Sequence, residues 1–417
     1  MSLGSAKDTP EQAEFRAHCQ AWLKDNHPGQ PPVAIPQGAL ELTSLDAVAW
    51  LRDWQMAAYE AGLVGCDYPK EYGGGGMSQC QAVANQELYR AQTPYFPNII
   101  GLGMAAPTIV HHATEEVRRE LLPSLFSAEH IWCQGFSEPG AGSDLANAQT
   151  FATKQGDNWV VNGHKVWTSH AHFADWMILL CRTDKGEKYN GLSYFVVPIK
   201  AGLDKGVTVR PLIKMTGGSG FNEVLFEDYV IEDRYRLDEV GAGWQVAMTT
   251  LTHERGAGAL ITPSAGGMVQ EEAEDDSGLN VDNAADLIEL AKQCARDEGV
   301  AADDPVLQDE IIQLMIRQEG ISQNARRINV PELLDHPMRL QLQSKVLRTE
   351  LAQDIGELAY DIEGAASSLY AHDADAVAGA EYQLSFMNSF GVTIAAGSSE
   401  IQRNILGERV LDLAKSK

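Results

Sequence analysis

The sequence predicts a multidomain α+β protein: a helical N-terminal domain, a central block of antiparallel strands, and a helical C-terminal domain. Three observations carry this. Apolar residues recur with helical spacing from residue 9 to about 125, and do so again from 244 nearly to the end. Between about 130 and 235 the pattern changes to short strand-like runs separated by glycine-bearing turns, with no helix-length segment among them. The 417 residues exceed what one hydrophobic core usually serves. The expected domains are 1–128, 129–236 and 237–417, and no internal repeat is evident.

In the first domain, Phe15, Cys19, Trp22 and Leu23 form one stripe of an amphipathic helix. "LDAVAWLRDWQMAAYEAGL" repeats the habit and breaks at "YPKEYGGGG", and "SQCQAVANQELYRA" restores it. His111 and His112 are adjacent, so a helix points them in different directions; they lack the i, i+4 spacing of a metal pair and read as structural. In the second domain "NWVVNGHKVWTS" reads as a hairpin turning at Asn162-Gly163. "DWMILLCRT", "LSYFVVPI", "VTVRPL" and "NEVLFEDYVI" are further strands, and the spacing suits an antiparallel barrel or sandwich. In the third, "AEDDSGLNVD" reads as a solvated loop and "QLQSKVLRTELAQDIGELAYDIEGAA" as one long helix.

Composition excludes several classes. A formal net charge of −26 repels nucleic acid and anionic membranes. No apolar run of spanning length and no export pattern is present, which places the chain in the cytoplasm. Six scattered cysteines without C-x-x-C spacing suit a reducing compartment and no zinc.

The stretch "QGFSEPGAGSDLA", residues 134–146, is too rich in Gly, Ser and Pro for helix or strand. Gly140, Gly142 and Ser143 could offer backbone N–H groups to an anion. The loop is neither a P-loop nor a dinucleotide G-x-G-x-x-G, and a plain turn is the alternative. Downstream, Trp167 and Ser169 are two apart, so a regular strand gives an aromatic plane and a hydroxyl to one face. Trp167 as simple core is the alternative.

Three segments in order, "WCQGFSEPGAGSDLA", "GHKVWTSHAHFADW" and "GVTIAAGSSEIQRNILGERVL", resemble the acyl-CoA dehydrogenases, and the α–β–α order matches. The resemblance implies a central β-barrel, a C-terminal four-helix bundle, FAD and a homotetramer. By position it implies flavin contacts from Gln134, Phe136, Ser137, Gly142 and Ser143, with Ser143 also touching the pantetheine arm of CoA. Trp167 is expected to stack on the flavin ring, and Thr168 or Ser169 to bond near its N5. Ser398, Glu400 and Gln402 fit contacts at the adenine end, and Arg317 the FAD phosphates.

The implied reaction needs a base for the proton alpha to the thioester, and a carboxylate in an apolar pocket becomes a stronger base. In many relatives that glutamate precedes the glycine of the C-terminal motif, where this chain has Ala396. In the isovaleryl- and long-chain-type branch it lies in a Leu-x-x-Glu-Arg context, matched by Leu251–Arg255. Helical spacing puts Ala247, Leu251, Glu254 and Gly258 on one small, apolar face around one carboxylate. Glu254 is therefore the expected base, Arg255 supports the substrate pocket, and His253 points elsewhere. A solvated Glu–Arg pair is the alternative. The implied function is α,β-dehydrogenation of an acyl-CoA to a trans-2-enoyl-CoA, with electrons leaving through an electron-transfer flavoprotein. An acyl-CoA oxidase and a non-catalytic FAD-binding subunit are the competing functions.

Overall fold

A computed structural model describes residues 8–36, 38–256, 283–296, 299–328, 340–370 and 373–414. The chain falls into two compact units, 1–268 and 269–417.

The first unit opens with helices α1 (Pro10–Asn26), α2 (Leu45–Glu60), α3 (Cys80–Arg90), α4 (Ala106–His112) and α5 (Glu115–Phe126). Local chemistry fixes their starts. Thr9 and Gln12 form a capping box before α1, and the Ser44 and Thr114 hydroxyls accept from the first turns of α2 and α5. Phe15, Cys19 and Leu23 face the core as the stripe requires, while Trp22 is partly covered. A π-helical turn, Gly101–Ala105, leads into α4.

Strands β1 (Trp132–Gly135), β2 (Phe151–Gln155), β3 (Asn158–Ser169), β4 (Trp176–Arg182) and β5 (Leu192–Val197) follow. After the short helix α6 (Ile199–Gly202) come β6 (Val207–Leu212), β7 (Phe221–Glu232) and β8 (Arg236–Leu237). They form one sheet in the order β6-β7-β3-β2-β4-β5-β8, with β1 parallel to β4. The four strand segments singled out after residue 170 are all strands. The expected barrel is not found closed: β6 and β8 end the sheet, and pairings to β4 from β1 and β2 are parallel. Every residue of β4 is buried because both faces are covered. Ile178 and Leu180 join the helical core; Met177, Leu179 and Cys181 join a core that the sheet curves around itself.

The expected hairpin at Asn162-Gly163 is a single strand instead. Gln155 pairs with Asn158, so the turn is Gly156-Asp157, where Gly156 takes φ +60°. Asn162 and Gly163 sit at a register shift against β7. The Asn162 amide exchanges hydrogen bonds with Asp228, and a Cβ on Gly163 would lie 2.4 Å from Thr150 Oγ1. That glycine serves close approach, a demand an Asn-Gly turn motif cannot be told from in sequence.

Helix α7 (Gly243–Gly256) is the last described element of the unit. Among the described residues the second unit has α8 (Asp286–Gln293), a two-stranded ribbon of β9 (Ala295–Arg296) and β10 (Gly299–Val300), and helices α9 (Pro305–Ile328), α10 (Leu340–Glu363), α11 (Glu381–Ile394) and α12 (Ser399–Arg409); α8 to α11 contribute to one core, and α12 lies against α10. The expected long helix is α10. The expected loop at 273–282 lies outside the described residues. All six cysteines are free and buried. Among the described residues no helix is long and apolar enough to cross a membrane.

Candidate functional site

β1 ends at Gly135 and releases the loop that sequence singled out. Gln134 and Ser137 are half-buried, Phe136 is buried edge-on against Tyr194, and Gly142 and Ser143 are exposed. A Cβ at Gly140 or Gly142 would meet nothing within 4 Å, so no protein contact demands glycine there. Bare backbone at an open loop is what close approach by a ligand needs.

Trp167 is 60% exposed, its ring edge-on to Phe221 at 5.9 Å. This excludes the reading of Trp167 as core. Its φ is +58°, at a second register shift between Lys165 and Thr168. Left-handed backbone costs an ordinary residue about 1–2 kcal/mol, and such strain gathers at functional positions. The bulge also breaks the expected two-residue alternation: Thr168 and Ser169 are both buried, and Trp167 alone stands out. Thr168 Oγ1 is enclosed without a partner among the described residues, whereas Ser169 keeps 7% exposure.

Glu254 lies on α7 and is half-buried. On the same face Ala247 is buried and Leu251 packs against the core; Gly258 and the Arg255 side chain lie outside the described residues. One turn before Glu254 is a group that sequence reasoning missed. Thr250 Oγ1 is 2.9 Å from Tyr194 Oη and 2.9 Å from Thr108 Oγ1, and Thr108 donates to Met104 O at 2.8 Å. The arrangement that satisfies these bonds runs one way: Tyr194 donates to Thr250, Thr250 to Thr108, and Thr108 to the carbonyl. All three residues are fully buried. Burial raises the Tyr194 phenol above its usual range, and the nearby Glu254 charge adds to that. The three hydroxyls sit about 56 to 142 residues apart in the chain, so no local pattern links them.

Neighbouring histidines are engaged. His253 stacks on His111 with centroids 6.4 Å apart, and burial then the His111 charge lower its pKa. His112 reaches Asp238 at 3.1 Å and Thr249 at 2.8 Å.

In the second unit, Ala396 (φ +53°) and Gly397 (φ +100°) form the turn before α12, whose first turn Ser398 caps. Lys345 Nζ donates to the Thr393 and Gly397 carbonyls, and Gln402, buried, donates to Ala396 O at 3.1 Å. Ser398 and Glu400 line a cavity of about 360 Å³ with Glu350, Asp354 and Arg403. Arg317 pairs with Asp354 at 2.6 Å, so it belongs to the same neighbourhood. Among the described residues no cluster suits a metal ion.

Against known proteins, residues 9–129, 133–229 and 279–411 match the N-terminal, middle and C-terminal domains of acyl-CoA dehydrogenase. The acyl-CoA dehydrogenase IpdE1 of Mycobacterium tuberculosis is 36% identical over 404 residues, covering 96% of this chain and 98% of that one. IpdE1 of Mycolicibacterium smegmatis is 37% identical, covering 97% and 98%. Among solved structures, a single-residue variant of the Tcur3481-Tcur3483 steroid ACAD superposes with a TM-score of 0.71 at 25% identity, covering 97% of this chain and 99% of that one.

Proposed function

Because the chain belongs to the acyl-CoA dehydrogenase family, a family of flavin-dependent oxidoreductases, we propose that it converts an acyl-CoA thioester to its trans-2-enoyl-CoA with Glu254 as the base. The observation that carries this is the placement of Glu254. It is half-buried on α7, one turn beyond the buried Thr250, while the other position the family uses is a methyl group at Ala396. The hydroxyl chain from Tyr194 to Met104 O pins the preceding turn of α7, which limits how far the carboxylate wanders.

The residues present fit FAD. Gln134, Phe136, Ser137, Gly142 and Ser143 supply an open polar loop, and Trp167 a free aromatic face; Thr168 or Ser169 supplies the hydroxyl for the N5 side. Ser398, Glu400 and Gln402 are proposed for the adenine end, partly across a subunit interface, and Arg317 for the FAD phosphates. When bound, the flavin supplies the hydride acceptor opposite the base. Glu254 takes the α proton, Ser143 meets the pantetheine arm, and Arg255 supports the pocket. The similarity to a steroid ACAD favours a ring-bearing acyl group. The assembly proposed is a homotetramer passing electrons to an electron-transfer flavoprotein. The two-protein name of that steroid ACAD favours, as the second reading, a tetramer built with a different partner chain.

Glu254→Gln keeps size and removes the proton acceptor. FAD and acyl-CoA should stay bound, and anaerobic flavin reduction by a ring-bearing acyl-CoA should slow by at least about 100-fold, within the 10²–10⁴ range of a lost general base. A near-wild-type rate removes Glu254 from the mechanism. A straight-chain thioester that outpaces every ring-bearing one removes the substrate class.

A further inference from the structure

We propose that Lys165 and Glu138 are positioning residues: their buried pair clamps the glycine-rich loop in the shape that receives the flavin. This rests on the flavin reading above.

Lys165 lies on β3 two residues before Trp167 and is 0% exposed. Its Nζ donates to Glu138 Oε1 at 2.7 Å and to Phe136 O at 3.0 Å. The same carboxylate accepts the backbone N–H of Gln149 at 2.6 Å on one oxygen and that of Thr150 at 2.8 Å on the other. One side chain thus joins the start of the loop to its end, and one lysine joins both to the strand. Backbone bonds tighten the entry: Glu138 and Ala141 exchange a pair at 2.9 and 3.1 Å, and Val166 N donates to Ser137 O at 2.9 Å. Arg182 donates to the Ala146 and Ala148 carbonyls further along, while Gly140, Gly142 and Ser143 are exposed and a Cβ on either glycine would meet nothing within 4 Å.

Burial acts on both partners. Burial pushes the Glu138 carboxyl up, but Lys165 and the backbone donors outweigh it and leave it below its usual range. Burial lowers the Lys165 ammonium, and Glu138 offsets only part of that. Two buried charges contribute little net stability compared with an apolar pair of similar volume. What such a pair does supply is a fixed geometry, here at the root of both segments that face the ligand.

The test replaces both partners, since Lys165→Met alone strands a buried carboxylate and threatens the fold. In Glu138→Gln/Lys165→Met apoprotein the thermal midpoint should stay within about 4 °C of wild type. Its affinity for FAD, from quenching of flavin fluorescence, should fall roughly tenfold or more because the loop must be ordered on binding. Hydrogen exchange should quicken within residues 138–150, Gln149 and Thr150 included, and nowhere else. Wild-type affinity in the double variant overturns the clamp. So does a loss of affinity that comes with a lowered midpoint and exchange spread through the unit, since the pair would then support the fold at large. Failure of the wild-type protein itself to bind FAD overturns the flavin reading and the clamp together, and is told apart by that control.

Discussion

Trp167 and the two residues after it concentrate what one position can decide. The sequence makes them a regular strand end; the left-handed φ at Trp167 instead turns one aromatic face outward and encloses Thr168. Ser169, the less enclosed hydroxyl, is the one expected to meet the flavin. Ser169→Ala should therefore alter the visible flavin spectrum and weaken FAD binding, whereas Thr168→Val should leave binding unchanged and the fold as stable or more so, since its hydroxyl is buried unpaired. Absorption spectra and FAD titrations of the two variants check this; the reverse pattern would reassign the contact to Thr168. Next to them, His170 is fully buried, donates from Nε2 to Ala39 O at 2.8 Å, and is held by burial at about 4. His172 is lowered the same way. An unfolded histidine takes its proton near pH 6.5 and the native one only near 4, so the unfolded state gains protons across that window. Stability should be full above pH 6.5 and fall as the pH drops toward 4, by up to about 3 kcal/mol from His170. Urea unfolding of wild type and His170→Gln at several pH values measures it: the variant's profile should be the flatter, and parallel profiles would refute the assignment. The candidate residues could be named from sequence because motifs name residue types. The bulge was not, because nothing local distinguishes a tryptophan in a bulge from one in a strand.

At the scale of elements, α7 shows how a motif reaches its place. Leu251–Arg255 could be read from the sequence, and so could the face around Glu254. What sets the helix against the sheet could not. Gly243, at its first residue, approaches β5 so closely that a Cβ would lie 2.5 Å from the Ser193 backbone. Gly243→Ala should push the start of α7 off β5, costing about 1–3 kcal/mol as overpacking does, and should slow flavin reduction by carrying Glu254 out of line. Denaturation curves together with single-turnover kinetics check it; a stable variant with wild-type kinetics would show that α7 tolerates the shift. The strands were legible from alternation and apolar runs. Their partners were not, since pairing joins residues far apart in the chain, as β3 with β7. That is why Asn162-Gly163 reads as a turn locally and proves to be a mid-strand contact with Thr150.

For the whole molecule, the order of helical, strand and helical blocks was legible because periodicity survives averaging over long windows. The open edges of the sheet were not, for closure depends on register. The second unit leaves Val392, Ile394, Leu411 and Leu413 at 48–66% exposure. Apolar side chains so exposed mark association surfaces when they cluster, and the FAD-loaded protein should sediment as a tetramer; a stable FAD-loaded monomer would refute the assembly. The cysteines extend this view. Cys19, Cys66 and Cys80 lie in the helical core, Cys133 and Cys181 in the core that the sheet curves around, and Cys294 in the core of the second unit. Burial raises all six above the usual thiol value. A protonated, enclosed thiol is a poor nucleophile, so alkylation waits on local opening. The protein thereby carries its own set of chemical clocks, three in one core, two in the next and one in the last, each timing how often its surroundings come apart.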